Sequence, residues 1–186
     1  MVTFSADFSG LEKLNPKFKG MLDRKQDISK LEPVVKQILI EDVKLRFLTA
    51  PLTNKGGLVN GNVFWSAMSP TWLATHPERM GKPLLQDTGR LLNSLISGND
   101  DSIFSITRDG FEFGTQVPYA KNHQPDSIGT SIPLSLLQDE RVSEMFRKEG
   151  KLPPRPFLFI HETLNNNIME KIVDYIENAE EILHLD

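Results

Sequence analysis

The chain predicts an α+β fold, with an antiparallel β-sheet packed against helices and a long inserted arm. Two segments repeat apolar residues at helical spacing, one hairpin signal alternates with a period of two, and a wide excursion separates that hairpin from a late apolar run. A chain of 186 residues suits a single domain, 1–186, with 125–152 as an arm or flap. At that size roughly 70% of the surface exposed by the unfolded chain can be buried. Hydrophobic residues at 39% and charged residues at 25% describe a globular protein rather than a disordered or membrane-embedded one.

The first residues, Met1-Val2-Thr3-Phe4-Ser5-Ala6-Asp7-Phe8, carry neither a basic leader nor an apolar run. No later segment approaches the ~20 apolar residues of a membrane span. Synthesis in the cytoplasm, without secretion or membrane contact, is the expectation. Lys13, Lys17, Lys19 and Lys25 read as a solvated surface.

A helix is expected from Leu31 to Thr49, because Leu31, Val35, Ile38 and Leu45 form an apolar stripe that only Asp42 breaks. Pro33 fits its first turn, where a missing N–H costs nothing. The glycine- and asparagine-rich stretch 53–62 reads as a loop. It is not a phosphate-binding loop, since Gly56 and Gly61 are followed by Asn62 and Val63 and not by lysine and a hydroxyl residue. Trp65 and Trp72 flank Ser69-Pro70, a turn or helix start, and both read as buried anchors or interface residues.

Asp87 and Thr88 offer N-cap side chains for a short helix carrying Leu91, Leu92, Leu95 and Ile96, and Gly98-Asn99-Asp100-Asp101 stops it. The strands Ser102 to Arg108 and Phe111 to Gln116 then flank Asp109-Gly110, a pair suited to a type I′ turn. That turn would pair Arg108 with Phe111, Ile106 with Phe113 and Phe104 with Thr115, and would put Phe104, Ile106, Phe111 and Phe113 on one face. The arm holds an expected helix from Pro133 to Lys148. Phe157-Leu158-Phe159-Ile160 suits a buried strand, and Leu164, Ile168, Ile172, Ile176 and Ala179 define a terminal helix ending in the acidic stretch Glu177 to Glu181.

Little in the sequence supports catalysis. The absence of cysteine excludes disulfides, thiolate zinc sites and cysteine nucleophiles. His76, His123, His161 and His184 lack metal-ligand spacing, and no His-Glu-x-x-His or Gly-x-Ser-x-Gly phrase occurs. No enzyme, metal or cofactor is expected, and a hydrolase with dispersed residues is the weaker alternative. A formal charge of -4 argues against a protein that gains affinity by neutralising phosphates. His123 reads as a structural, hydrogen-bonded residue. Arg155 reads as an ion-pair partner, either across a subunit boundary or within the chain.

Three phrases in fixed order remain: Leu84-Leu85-Gln86-Asp87-Thr88-Gly89-Arg90-Leu91, then Gly114-Thr115 leading to Tyr119-Ala120-Lys121-Asn122-His123-Gln124, then Pro153-Pro154-Arg155-Pro156-Phe157-Leu158. Together they resemble the virion morphogenesis, or tail completion, proteins of Mu-like phages and prophages. The resemblance covers roughly residues 60 to 160 and lies in the order and spacing of the phrases. It implies a structural virion protein at the head–tail junction, needed for tail completion or head–tail joining. Such proteins act as subunits of a ring, commonly a hexamer. Its partners would be other copies of itself, the tail tube or tail terminator, and head-completion or connector proteins. DNA would pass through the lumen without specific binding. Assembly would begin in the host cytoplasm and end in the virion. Candidate subunit-interface residues are Tyr119, His123, Gln124, Arg155, Phe157, Trp65 and Trp72. A small non-viral adaptor domain is the alternative.

Overall fold

The computed structural model describes residues 2–7, 28–107, 110–124, 148 and 152–182. Their elements run in the order β1 (Val2–Asp7), α1 (Glu32–Leu48), β2 (Gly57–Val59), β3 (Val63–Trp65), α2 (Pro70–Thr75), α3 (Arg90–Ile96), β4 (Ser102–Thr107), β5 (Gly110–Thr115) and α4 (Glu162–Ile182). The architecture is α+β, as the sequence predicts. One sheet has the order β1-β5-β4 and is antiparallel throughout, and β2 and β3 form a separate small ribbon.

Helix α1 is the spine. Val35, Leu39, Val43 and Phe47 bury one face of it, and α3, α4 and β4 all pack against it. Pro33 sits in its first turn, where no intrahelical donor is lost. Leu164, Ile168 and Ile172 of α4 and Leu91 and Leu95 of α3 complete the same core, together with Phe111 and Phe113 of β5. The helical periodicities of the sequence thus become one shared apolar interior.

The hairpin forms with the expected facing but a different register. Thr107 pairs with Gly110, Ile106 with Phe111 and Phe104 with Phe113, so Gly110 belongs to the strand and not to the turn. Residues 108 and 109 lie outside the described ones. The difference from the expected register is an even number of residues, and side chains alternate with period two, so the faces are unchanged. Phe104 and Phe113 meet edge to face with centroids 6.2 Å apart. Strand β1, which the sequence reading did not anticipate, adds to the other side of β5 with Phe4 opposite Phe113.

Three further expectations need correction. The stretch 53–62 is not only loop: β2 and β3 pair there, and Asn62 N–H bonds Val59 O at 3.0 Å across Asn60 and Gly61. Both turn residues have positive φ, 47° and 69°, the geometry that an Asn-Gly pair supplies. The N-cap of α3 is Gly89, in the left-handed region, while Thr88 Oγ1 only accepts from Arg90 N at 3.3 Å. The run 157–160 joins no sheet and stays irregular. The expected Pro133 to Lys148 helix lies outside the described residues apart from Lys148, which is helical.

Candidate functional site

Residues 153–159 are buried without interruption yet belong to no helix or strand. A buried backbone must have its polar groups paired. Here side chains supply the partners. Trp65 Nε1 donates to Pro156 O at 2.9 Å, Arg46 donates to Phe157 O at 2.9 Å and to Phe159 O at 2.7 Å, and Gln124 Nε2 donates to Leu158 O at 2.8 Å. Phe157 N–H donates in turn to Gln124 Oε1 at 3.2 Å, so the Gln124 amide mimics a peptide unit of a neighbouring strand. Arg155 N–H bonds His123 O at 3.0 Å. The prolines of this phrase have a physical use: Pro153, Pro154 and Pro156 bring no N–H that would need an acceptor.

Arg46 anchors the arrangement. It is 1% exposed, forms an ion pair with Asp42, and its guanidinium lies 3.8 Å from the centroid of the Phe159 ring. Burial pushes its pKa down to about 10, against the opposing pull of Asp42, so it keeps its charge at neutral pH. Asp42 also bonds His161 Nε2 at 2.8 Å, and His161 Nδ1 takes the backbone N–H of Leu164 at 3.3 Å. Because Nδ1 is the acceptor, the proton belongs on Nε2. Nε2 of His161 therefore ties the start of α4 to α1, while Nδ1 caps the first turn of α4.

In front of the 153–159 segment lies a cavity of about 400 Å³. Its walls draw on all three phrases: Leu84, Leu85, Asp87, Thr88 and Gly89 from the first, Tyr119 and His123 from the second, Arg155 from the third. Trp72, Met68, Thr53, Arg79 and Leu152 complete them. Arg155 is 2% exposed and donates to Ser66 O at 3.0 Å and Ala67 O at 3.3 Å, contacts with main chain that the sequence reading did not foresee. His123 has its pKa lowered to about 4, first by burial and then by the nearby Arg155 charge. Its ring is neutral at pH 7. Its Nδ1 is buried with no hydrogen-bond partner among the described residues. Trp72 stacks on His76 with centroids 4.3 Å apart, and Arg79 pairs with Asp87 at 2.7 Å.

Among the candidate interface residues, Tyr119, His123, Arg155 and Trp72 thus share one cavity, while Trp65, Phe157 and Gln124 are buried behind it. Trp65 packs edge to face on Phe47 with centroids 5.9 Å apart. Of these seven, Tyr119 is the most exposed at 41%.

A second cavity of about 370 Å³ is lined by Glu41, Asp42, Asn60, Asn62, His161 and Asn167, among others. Among the described residues, no group of three or more His, Cys, Asp or Glu is arranged to hold a metal ion. No described helix is long and apolar enough to cross a membrane. No family model matches this chain, and comparison with curated proteins and with solved structures returns no match.

Proposed function

We propose that this chain is a structural virion subunit of the phage head–tail junction, required for tail completion or head–tail joining and acting in a ring of identical copies. One observation carries the reading. Three phrases that resemble the tail completion family are far apart in sequence yet line a single cavity. The last of them is held there by side chains from α1, β3 and the Tyr119–Gln124 region. A motif set that converges in space on a braced, partly open surface suits a part that others dock against. Two of the histidines support binding over chemistry: His161 is a helix cap tied to Asp42, and His123 is neutral, with a buried Nδ1 that has no partner among the described residues. In this reading DNA crosses the lumen unspecifically, and a net charge of -4 limits its retention. The subunit assembles in the host cytoplasm and resides in the virion.

The test is the mass of the full chain across a concentration series, with particle images of any large species. A closed ring of defined copy number, or recruitment of a monomer to purified tails or connectors, is the expected result. A strict monomer that neither tails nor connectors recruit would reject the reading in favour of an adaptor domain.

A further inference from the structure

The cavity shared by the three phrases has an interior of one chemical kind and a mouth of another. Met68, Trp72, Leu84 and Leu85 give it apolar walls, and Tyr119 and Leu152 line it while staying 41% and 45% exposed. A volume of about 400 Å³ suits a bulky side chain with part of its backbone. The charged groups are sorted by depth. Arg155 is buried and directed at the carbonyls of Ser66 and Ala67, and the Arg79 side chain is only 16% exposed and paired with Asp87. Asp87 keeps 75% of its side chain exposed, against 16% for the Arg79 with which it pairs at 2.7 Å. Of these charged groups the Asp87 carboxylate stands nearest solvent, beside an apolar hole. Leu85 adds an independent sign: it holds φ at +58°, an unfavourable conformation for a branched residue, and strain of this kind gathers at binding sites.

We infer that this cavity is the docking site for a segment of a partner protein in which a leucine- or phenylalanine-sized side chain is followed closely by lysine or arginine. The apolar side chain fills the space between Trp72, Leu84 and Leu85, and the cation meets the outer face of the Asp87 carboxylate. Burial of the apolar group supplies affinity, and the charge pair supplies discrimination. A segment with an acidic flank meets the exposed Asp87 before the shielded Arg79 and is disfavoured. The inference concerns the chemistry of the occupant and stands apart from the ring reading.

The experiment is a titration of the labelled full chain, followed by NMR of leucine methyl and tryptophan indole signals. The probes are N-acetyl-phenylalanyl-lysine amide, its glutamate counterpart, and N-acetyl-glycyl-lysine amide. With the first probe, shifts centred on Trp72, Leu84 and Leu85 are expected. The glutamate peptide should bind about two- to fivefold more weakly, as an exposed charge pair implies. The glycine peptide should leave these signals unmoved, and Asp87→Asn should erase the preference for lysine while keeping the site of the shifts. No shift at these residues up to the solubility limit, or equal affinity for the lysine and glutamate peptides, would overturn the inference. So would contacts of these methyls with residues 125–151 in the free protein, which give the cavity to the chain itself. Shifts that depend on protein concentration alone would give it to a second copy and equally reject a partner segment.

Discussion

Arg46 shows how one side chain can replace part of a sheet. It serves two carbonyls of the 153–159 segment and the Asp42 carboxylate, so truncating it leaves the two carbonyls without this donor and Asp42 with His161 but no countercharge from Arg46. Arg46→Ala should cost about 3–5 kcal/mol, read from urea unfolding midpoints. Arg46→Lys should recover little of it, because an ammonium cannot present two carbonyls and a carboxylate with a planar fork. Asp42 stands out in the sequence as the break in an apolar stripe, but its meaning needed Arg46 at i+4 on the same face. A charged pair at helical spacing inside an apolar stripe was the legible signal. His123 sets a pH dependence. Its pKa is about 4 in the folded chain against an ordinary 6.5, so between those values the unfolded chain binds a proton that the folded chain does not. Stability therefore rises with pH through this window and falls on acidification. The His123 contribution should cost about 2 kcal/mol by pH 5 relative to pH 7. His123→Gln, which cannot titrate, should show a correspondingly smaller loss of the urea midpoint over the same range. Equal losses in both proteins would refute the assignment.

Among the elements, those with strong periodicity were legible and those set by tertiary partners were not. Helices α1 and α4 and the β4–β5 pairing follow from spacing that needs no knowledge of neighbours. The β2–β3 ribbon was hidden by its own surroundings: Asn60-Gly61 is a strong turn pair, but the glycines and asparagines around it read as a loop. The 157–160 run has the composition of a core strand, and the partners that keep it out of a sheet come from residues up to 113 positions away. Two glycines beside the ribbon test this element separately. Both have positive φ, but a Cβ on Gly56 would lie 2.7 Å from Ala67 N and 2.8 Å from Trp65 O, whereas one on Gly61 would meet nothing within 4 Å. Gly61→Ala should cost about 1–2 kcal/mol from the left-handed conformation alone. Gly56→Ala should cost at least about 1 kcal/mol more, because main chain and not a flexible side chain must move. Thermal unfolding of the two variants against the parent checks the order.

For the whole molecule, the sequence conveyed the α+β class, and the convergence of three distant phrases on one cavity required the fold. No periodicity encodes that meeting, since it arises from where α1, β3 and the 120–124 turn deliver their side chains. The same bonds define how separable the arm is. His123 O and Arg155 N lie 3.0 Å apart, and Gln124 grips Phe157 and Leu158, so the chain is closed at the base of the excursion. Replacing 126–150 by a short glycine-rich linker should therefore keep cooperative unfolding with a similar midpoint, measured by circular dichroism, and, if the proposed ring reading holds, should impair assembly or recruitment to tails. Loss of cooperativity would make the arm part of the core.

The carbonyls that Arg46 and Trp65 hold belong to residues 111 and 91 positions later. A ribosome adds about 5–20 residues each second, so these donors leave the exit tunnel seconds before their acceptors exist. Until then the growing chain contains a guanidinium and an indole at the heart of a core that cannot close. A product that stops before residue 153 lacks the carbonyls that Arg46 and Trp65 hold in the folded chain, so it has buried donors to satisfy in some other way. Closure of this core therefore waits on the synthesis of residues 156–159, the last stretch to supply its acceptors.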